Sequence, residues 1–286
     1  MPIKVVKEGE SEKEVVVFSY SSYSVYKQCP KKYYLRKCLK VPVVEDETFT
    51  IPGRIVHNAA GHYYDTGSFE RFDPEFLRAE LEKNSHIPTV NLEKGYGSFD
   101  KAYDLLKKSA DNLKMFILTR EQGKQFMSEK WFGVWNAPLY LSNNLAIQGA
   151  ADLIELNPNG TALLYDFKTS WNMKSVSRDQ LILYAIAAKL KWDVNVTMAS
   201  FFLLPANKQN FFTFTDFDKQ QLLNSMQQAA NDILAQKENL PAIKNDKCKF
   251  CPYYAQCEAN QVEHQVESLN EGTVSFGSFG NFGADL

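Results

Sequence analysis

Ile147-Gln148-Gly149-Ala150-Ala151-Asp152-Leu153-Ile154-Glu155-Leu156 runs through Asn157-Pro158-Asn159-Gly160 into Thr161-Ala162-Leu163-Leu164-Tyr165-Asp166-Phe167-Lys168. Pro, Asn and Gly between two β-prone runs form a hairpin signal, because they supply the backbone angles a tight reversal needs. With 158–160 as the loop, Asn157 pairs with Thr161, and counting back pairs Asp152 with Asp166. The two carboxylates then sit on neighbouring strands, close enough to share a divalent cation. A slip of one residue would spoil this geometry, so the register is a definite expectation. Asp166 and Lys168 share one face of their strand, because strand side chains alternate.

Working outward, residues 125–135, 139–141, 145–156, 161–168 and 194–204 suit strands of a sheet, and 178–191 and 219–237 suit helices. Strands grouped between helical ends imply an α/β core. On the N-terminal side, residues 1–17 read as a polar lead-in ending in a short β-prone run, and 19–28 as a short helix. Cys29-Pro30 breaks that helix, and Pro30 can open another through Leu35. Pro52-Gly53 starts a helix over 54–64. Residues 65–120 read as mostly helical, with amphipathic stretches at 76–83 and 99–118 around a loop at 85–98. Residues 275–286 form a Phe-Gly repeat whose glycine content supports neither helix nor packed strand.

At 286 residues, with 44% hydrophobic and 23% charged residues, the composition is that of a globular protein. No run approaches the ~18 apolar residues of a membrane span, and residues 1–14 lack the apolar core of a signal peptide, so a cytoplasmic location is expected. The net charge of −2 does not mark a nucleic-acid binder overall, although Lys27, Lys31, Lys32, Arg36, Lys37 and Lys40 make one basic stretch. Such a run is more often a solvated helix face. The five cysteines, an odd number, point to metal ligation rather than a disulfide framework. Cys248, Cys251 and Cys257 are one thiolate short of an iron–sulfur cluster or a structural zinc. Cys29 is the natural fourth, and Cys38 the spare.

Hard oxygen donors at Asp152 and Asp166 suit Mg²⁺ or Mn²⁺, with Lys168 placed to approach a phosphate or an attacking water. His57 follows Gly53 as Gly-x-x-x-His, and Gln180 and Tyr184 share one helix face at i, i+4. Either feature alone is commonplace. In order, Gly53…His57, Gly149…Asp152, Asp166…Lys168 and Gln180…Tyr184 resemble the RecB-like branch of the PD-(D/E)xK nuclease superfamily. The Cys29-Pro30 and Cys248, Cys251, Cys257 set resembles the subgroup with an iron–sulfur cluster, to which AddB and the CRISPR-associated RecB-like exonucleases belong.

The resemblance implies a restriction-endonuclease-like mixed central sheet flanked by helices, with an iron–sulfur-stapled helical shell. It makes residues 1–265 the nuclease domain, with 65–120 a helical insertion, 248–257 joining Cys29 in the cluster site, and 266–286 a flexible tail. By the same resemblance, His57, Asp152, Asp166 and the Phe167 carbonyl would hold Mg²⁺ or Mn²⁺. Lys168 would be the catalytic lysine, supported by Gln180 and Tyr184. Cys29, Cys248, Cys251 and Cys257 would ligate a 4Fe-4S cluster, with zinc the alternative. The implied activity is a metal-dependent DNA exonuclease acting on single strands or ends, in recombination, repair, bacteriophage DNA processing or CRISPR-type adaptation. The competing expectation is a DNA-binding scaffold with a residual site that recruits a protein partner through the tail.

Overall fold

The computed structural model describes residues 3–8, 11–43, 46–120, 125–173, 176–237 and 239–259. The Phe-Gly tail therefore lies outside the described residues. The strands are β1 Ile3–Glu8, β2 Ser11–Phe18, β3 Gln125–Gly133, β4 Leu139–Tyr140, β5 Leu145–Ile147, β6 Gly149–Leu156, β7 Thr161–Lys168, β8 Asn195–Leu203 and β9 Lys208–Thr213. The helices are α1 Tyr20–Gln28, α2 Pro30–Tyr33, α3 Ile51–Thr66, α4 Pro74–Ser85, α5 Leu92–Tyr96, α6 Phe99–Arg120, α7 Arg178–Trp192 and α8 Asp216–Ala235. Among the described residues no helix is long and apolar enough to cross a membrane.

The central five-stranded sheet has the order β3-β6-β7-β8-β9. Only β7 and β8 pair in parallel, and α7 forms the crossover between them. The hairpin has the expected register: Leu153 pairs with Tyr165 and Leu156 with Ala162, and the Asn157 amide donates to the Thr161 carbonyl at 2.8 Å. One step beyond Leu153–Tyr165, Asp152 lies across from Asp166.

Alternation along β7 sorts its side chains into two cores. Leu163, Tyr165 and Phe167 pack with α3 and α6, while Ala162 and Leu164 pack with Leu181 and Ala185 of α7. Phe116 of α6 closes the first core, its ring 5.0 Å from Tyr165, 5.2 Å from Phe202 and 6.0 Å from Phe167. Burying each such ring contributes about 2–3 kcal/mol, and Arg120 at the end of α6 adds an ion pair to the buried Glu155 of β6 at 3.1 Å.

Two expectations are corrected. The expected polar lead-in, with a β-prone run only at its end, is in its described residues the antiparallel pair β1–β2, part of a second sheet ordered β1-β2-β5-β4. The stretch 145–156 is two strands, not one. β5 pairs in parallel with β2, whereas β6 joins the central sheet. The chain changes sheets at Gln148 and Gly149, where the Gln148 amide donates to the Phe18 carbonyl at 2.8 Å. β9, for which the sequence pattern carries no reading, follows Asn207 at φ 50° and pairs antiparallel with β8.

Gly149 has φ +153°, and a Cβ there would lie 2.7 Å from Phe132 Cζ. Gly149→Ala is expected to destabilise the fold by about 1–3 kcal/mol through overpacking, read as a lower denaturant midpoint. Adding Phe132→Leu should recover part of the loss. A Gly149→Ala midpoint equal to wild type would contradict this close approach.

Candidate active site

The central residues lie where β6 and β7 separate. There the Phe167 amide donates to Asp152 Oδ2 at 2.7 Å, so a side chain takes over from the ladder. Asp166 is only 2% exposed, with Oδ2 2.6 Å from Lys168 Nζ. Its Oδ1 accepts from Gln180 Nε2 at 2.8 Å, and the same amide nitrogen lies 3.1 Å from the Tyr184 hydroxyl. α7 delivers this contact because Ser177 caps its N-terminus, accepting from the Asp179 amide, which puts Gln180 in the first turn. Tyr184 follows one turn later and packs on Phe132 at 5.5 Å between ring centres.

α3 brings His57 to the opening from the other side. His57 Nε2 lies 3.2 Å from the Phe167 carbonyl oxygen, and Nδ1 lies 3.4 Å from Glu129 Oε1 and 3.5 Å from Asp152 Oδ1. The helix approaches closely because residue 53 is glycine: a Cβ there would meet Thr169 Oγ1 at 3.2 Å. His57, Glu129 and Asp152 each offer a ligand atom, all within 4.8 Å of one another.

The structure thus brings together His57, Asp152, Asp166, Phe167, Lys168, Gln180 and Tyr184, as the sequence motifs imply. Glu129 was missed. It sits in β3 between the pairs Ser128–Leu153 and Lys130–Ala151, so the register sets it across from Asp152. Its only sequence signal would have been that long-range register.

Burial and mutual repulsion set the charges of the centre. Burial raises Asp166 despite Lys168, and Asp152 adds to the rise, so its carboxyl reaches about 6. Burial also raises Asp152, against the pull of His57. For Lys168, burial opposes the charge but Asp166 outweighs it, and the ammonium is held above its ordinary value. His57 is opposed by burial but pushed up to about 9 by Asp152, Glu129 and Asp166.

A raised histidine stabilises the fold fully below its ordinary pKa of 6.5, and that contribution is lost as pH rises through about 9. With chelator present, the stability gap between wild type and His57→Gln should therefore shrink between those pH values. A gap in thermal midpoint that stays constant would contradict the assigned charges.

Cys29, Cys248, Cys251 and Cys257 all line one cavity, with Gln28, Lys31 and Tyr253 among its walls. Cys38 lies elsewhere, against Ile3, Val5 and Tyr34. The cavity joins the N-terminal helices to the C-terminal segment. The Asn245 side chain donates to the Gln28 carbonyl at 3.0 Å, and its backbone amide donates to Cys248 Sγ at 3.3 Å. Among the described residues, no three of the sulfurs come within 4.8 Å of one another.

Part of the basic stretch is structural. Lys27 pairs with Asp179 at 2.8 Å and Lys31 with Glu258 at 3.3 Å. Lys37 and Lys40 line a cleft with Ser19, Ser22, Trp135 and Gln148. Past the end of β7, Trp171 is exposed with Lys108 Nζ 4.9 Å from its ring centre.

No curated protein matches the chain. A solved structure described as the crystal structure of SSO0001 is similar to it, with 16% identity and a TM-score of 0.35, covering 65% of this chain and 96% of that one. The profile of the PD-(D/E)XK nuclease superfamily matches residues 17–258, from the end of β2 through the last cysteine. That span contains every side chain of the centre described above, and the chain belongs to the PD-(D/E)XK nuclease superfamily.

Proposed function

We propose that the protein is a metal-dependent DNA exonuclease acting on single strands or on DNA ends. The observation that carries this reading is the buried Asp166 carboxylate held between Lys168 and Gln180, beside Asp152 and His57. The donor set fits a hard divalent cation: His57, Asp152, Asp166 and the Phe167 carbonyl would hold Mg²⁺ or Mn²⁺. When bound, the cation would supply a water of lowered pKa and neutralise charge on the phosphate.

The remaining work falls to the chain itself. Lys168, kept charged by Asp166, supports negative charge developing on the phosphate oxygens. Gln180 fixes the rotation of the Asp166 carboxylate, and Tyr184 backs Gln180. Strand recognition is supported by the exposed Trp171, whose ring centre lies 4.9 Å from Lys108 Nζ past the end of β7. An aromatic face stacks a base while a nearby cation meets the backbone, a combination suited to a single strand.

For the cysteine cavity we propose a 4Fe-4S cluster. The support for this reading is that Cys29, Cys248, Cys251 and Cys257, the four thiols such a cluster needs, all line one cavity. A cluster there acts as a staple between the chain's two ends, and a cytoplasmic setting keeps such thiols available.

Digestion of 5′- and 3′-labelled DNA, single- and double-stranded, with Mg²⁺ or Mn²⁺ tests the activity. Linear single strands should shorten from an end to 5′-phosphorylated products, while a circular single strand stays intact. Cutting of the circle would make the enzyme an endonuclease. Binding without any cleavage would favour a DNA-binding scaffold.

A further inference from the structure

We propose that Glu129 is the positioning residue of His57, accepting the proton on Nδ1 so that Nε2 is presented to the cation; this rests on the reading of the centre as a metal site. The two ring nitrogens face different surroundings. Nε2 is turned to the Phe167 carbonyl at 3.2 Å, on the side of Asp166, and Nδ1 is turned to Glu129 at 3.4 Å. Asp152 Oδ1 also lies 3.5 Å from Nδ1, but Asp152 takes its Oδ2 bond from the Phe167 amide at 2.7 Å and is itself one of the residues that would hold the cation. Glu129, which is outside that ligand set, is the carboxylate left for the imidazole. A ligating histidine generally donates its other N–H to such a group, which fixes tautomer and ring orientation together.

Two further features accommodate this one side chain. Glu129 has φ +46°, a left-handed conformation that is strained for a non-glycine residue, yet regular ladder pairs flank it. Gly61, one turn after His57 on α3, leaves room beside it, since a Cβ at that position would lie 3.3 Å from Glu129 Cγ. The result is a buried Oε1 with no hydrogen-bond partner, aimed at the imidazole.

The test is calorimetric titration of the full-length protein with Mn²⁺, alongside nitrogen NMR of His57 in Mg²⁺, assigned with His57→Gln. Glu129→Ala should bind Mn²⁺ ~10–100-fold more weakly at unchanged stoichiometry, the usual cost of losing such a partner. Glu129→Gln, whose amide oxygen still accepts from Nδ1–H, should recover most of that affinity. In Mg²⁺-loaded wild type the His57 proton should reside on Nδ1. Wild-type affinity in Glu129→Ala, or a proton on Nε2 in the loaded wild type, overturns the assignment. Loss of bound Mn²⁺ equivalents in both variants would make Glu129 a direct ligand and also overturn it. Failure of wild type to bind Mn²⁺ at all would instead remove the metal site on which the inference rests.

Discussion

Lys168→Ala is expected to lower turnover of DNA by ~10²–10³-fold while leaving substrate affinity within a few-fold, because the ammonium acts where charge develops rather than on the bound strand. The geometry supplies the reason. Lys168 Nζ sits 2.6 Å from Asp166 Oδ2, inside a centre that also holds Asp152, and its charge is the cation of β7 nearest the carboxylates. Removing it has a second effect. Asp166 already titrates near 6 because burial raises it, and Lys168 is the largest influence holding it down. Without that lysine its carboxyl moves further up and is increasingly protonated at neutral pH. The variant should therefore also need more Mn²⁺ for half-maximal rate, and the fold should survive, since a protonated carboxyl avoids an uncompensated buried charge. Single-turnover rates at saturating DNA, measured over a Mn²⁺ series, check both parts. An undiminished rate would place the chemistry elsewhere.

The second large effect concerns the cysteine cavity. Cys29→Ser should abolish the brown colour of anaerobically prepared protein and expose both ends of the chain to protease, whereas Cys38→Ser should do neither. Cys29 and the Cys248–Cys257 group come from opposite ends of the sequence yet line the same wall. Tying so long a loop removes unfolded-state entropy worth on the order of 5 kcal/mol, by analogy with disulfides. The remaining polar ties are weak by comparison: hydrogen bonds such as Asn245 to the Gln28 carbonyl and Tyr253 to the Val41 carbonyl, worth about 1 kcal/mol each, and the Lys31–Glu258 ion pair, with Glu258 largely exposed. Cys38 is poorly suited to replace Cys29, because burial pushes its thiol up to about 11 and a ligand must be a thiolate. Stoichiometric zinc in place of iron and sulfide would convert the proposed cluster to a single-ion site. Full iron in Cys29→Ser with loss in Cys38→Ser would reverse the ligand assignment.

Legibility from sequence followed the range of the interactions. The hairpin was readable because its register follows from a local turn, and one count from Asn157–Thr161 reaches Asp152 and Asp166. The Gln180–Tyr184 face was readable for the same reason, since one helical turn fixes it. Pairings between distant segments were not. β1 and the first half of β2 are rich in lysine and glutamate, which resembles a solvated lead-in until β5 is known to pair beside β2. The break between β5 and β6 falls within an apolar run, and Gly149 signals it only once Phe132 is in place. Glu129 was least visible of all. Nothing near it in sequence announces a ligand-like carboxylate, and both its strand partner Asp152 and its imidazole come from other segments. The basic stretch reads as a solvated helix face more readily than as a groove, and neither reading shows that Lys27 and Lys31 make ion pairs that join α1 and α2 to α7 and the C-terminal segment.

The most direct measurement of the central claim is Mn²⁺-dependent release of nucleotides from end-labelled single-stranded DNA, comparing wild type with Asp166→Asn. The substitution keeps the size of a side chain that is 2% exposed, so the fold is retained while a charged oxygen donor is lost. Wild type should release nucleotides only with Mn²⁺ or Mg²⁺ present, and Asp166→Asn should be slower by ~10²-fold or more, as when a metal ligand or a charge-stabilising group is deleted. Release by wild type in chelator, or equal rates for the two proteins in Mn²⁺, would contradict a metal-dependent nuclease centred on Asp166.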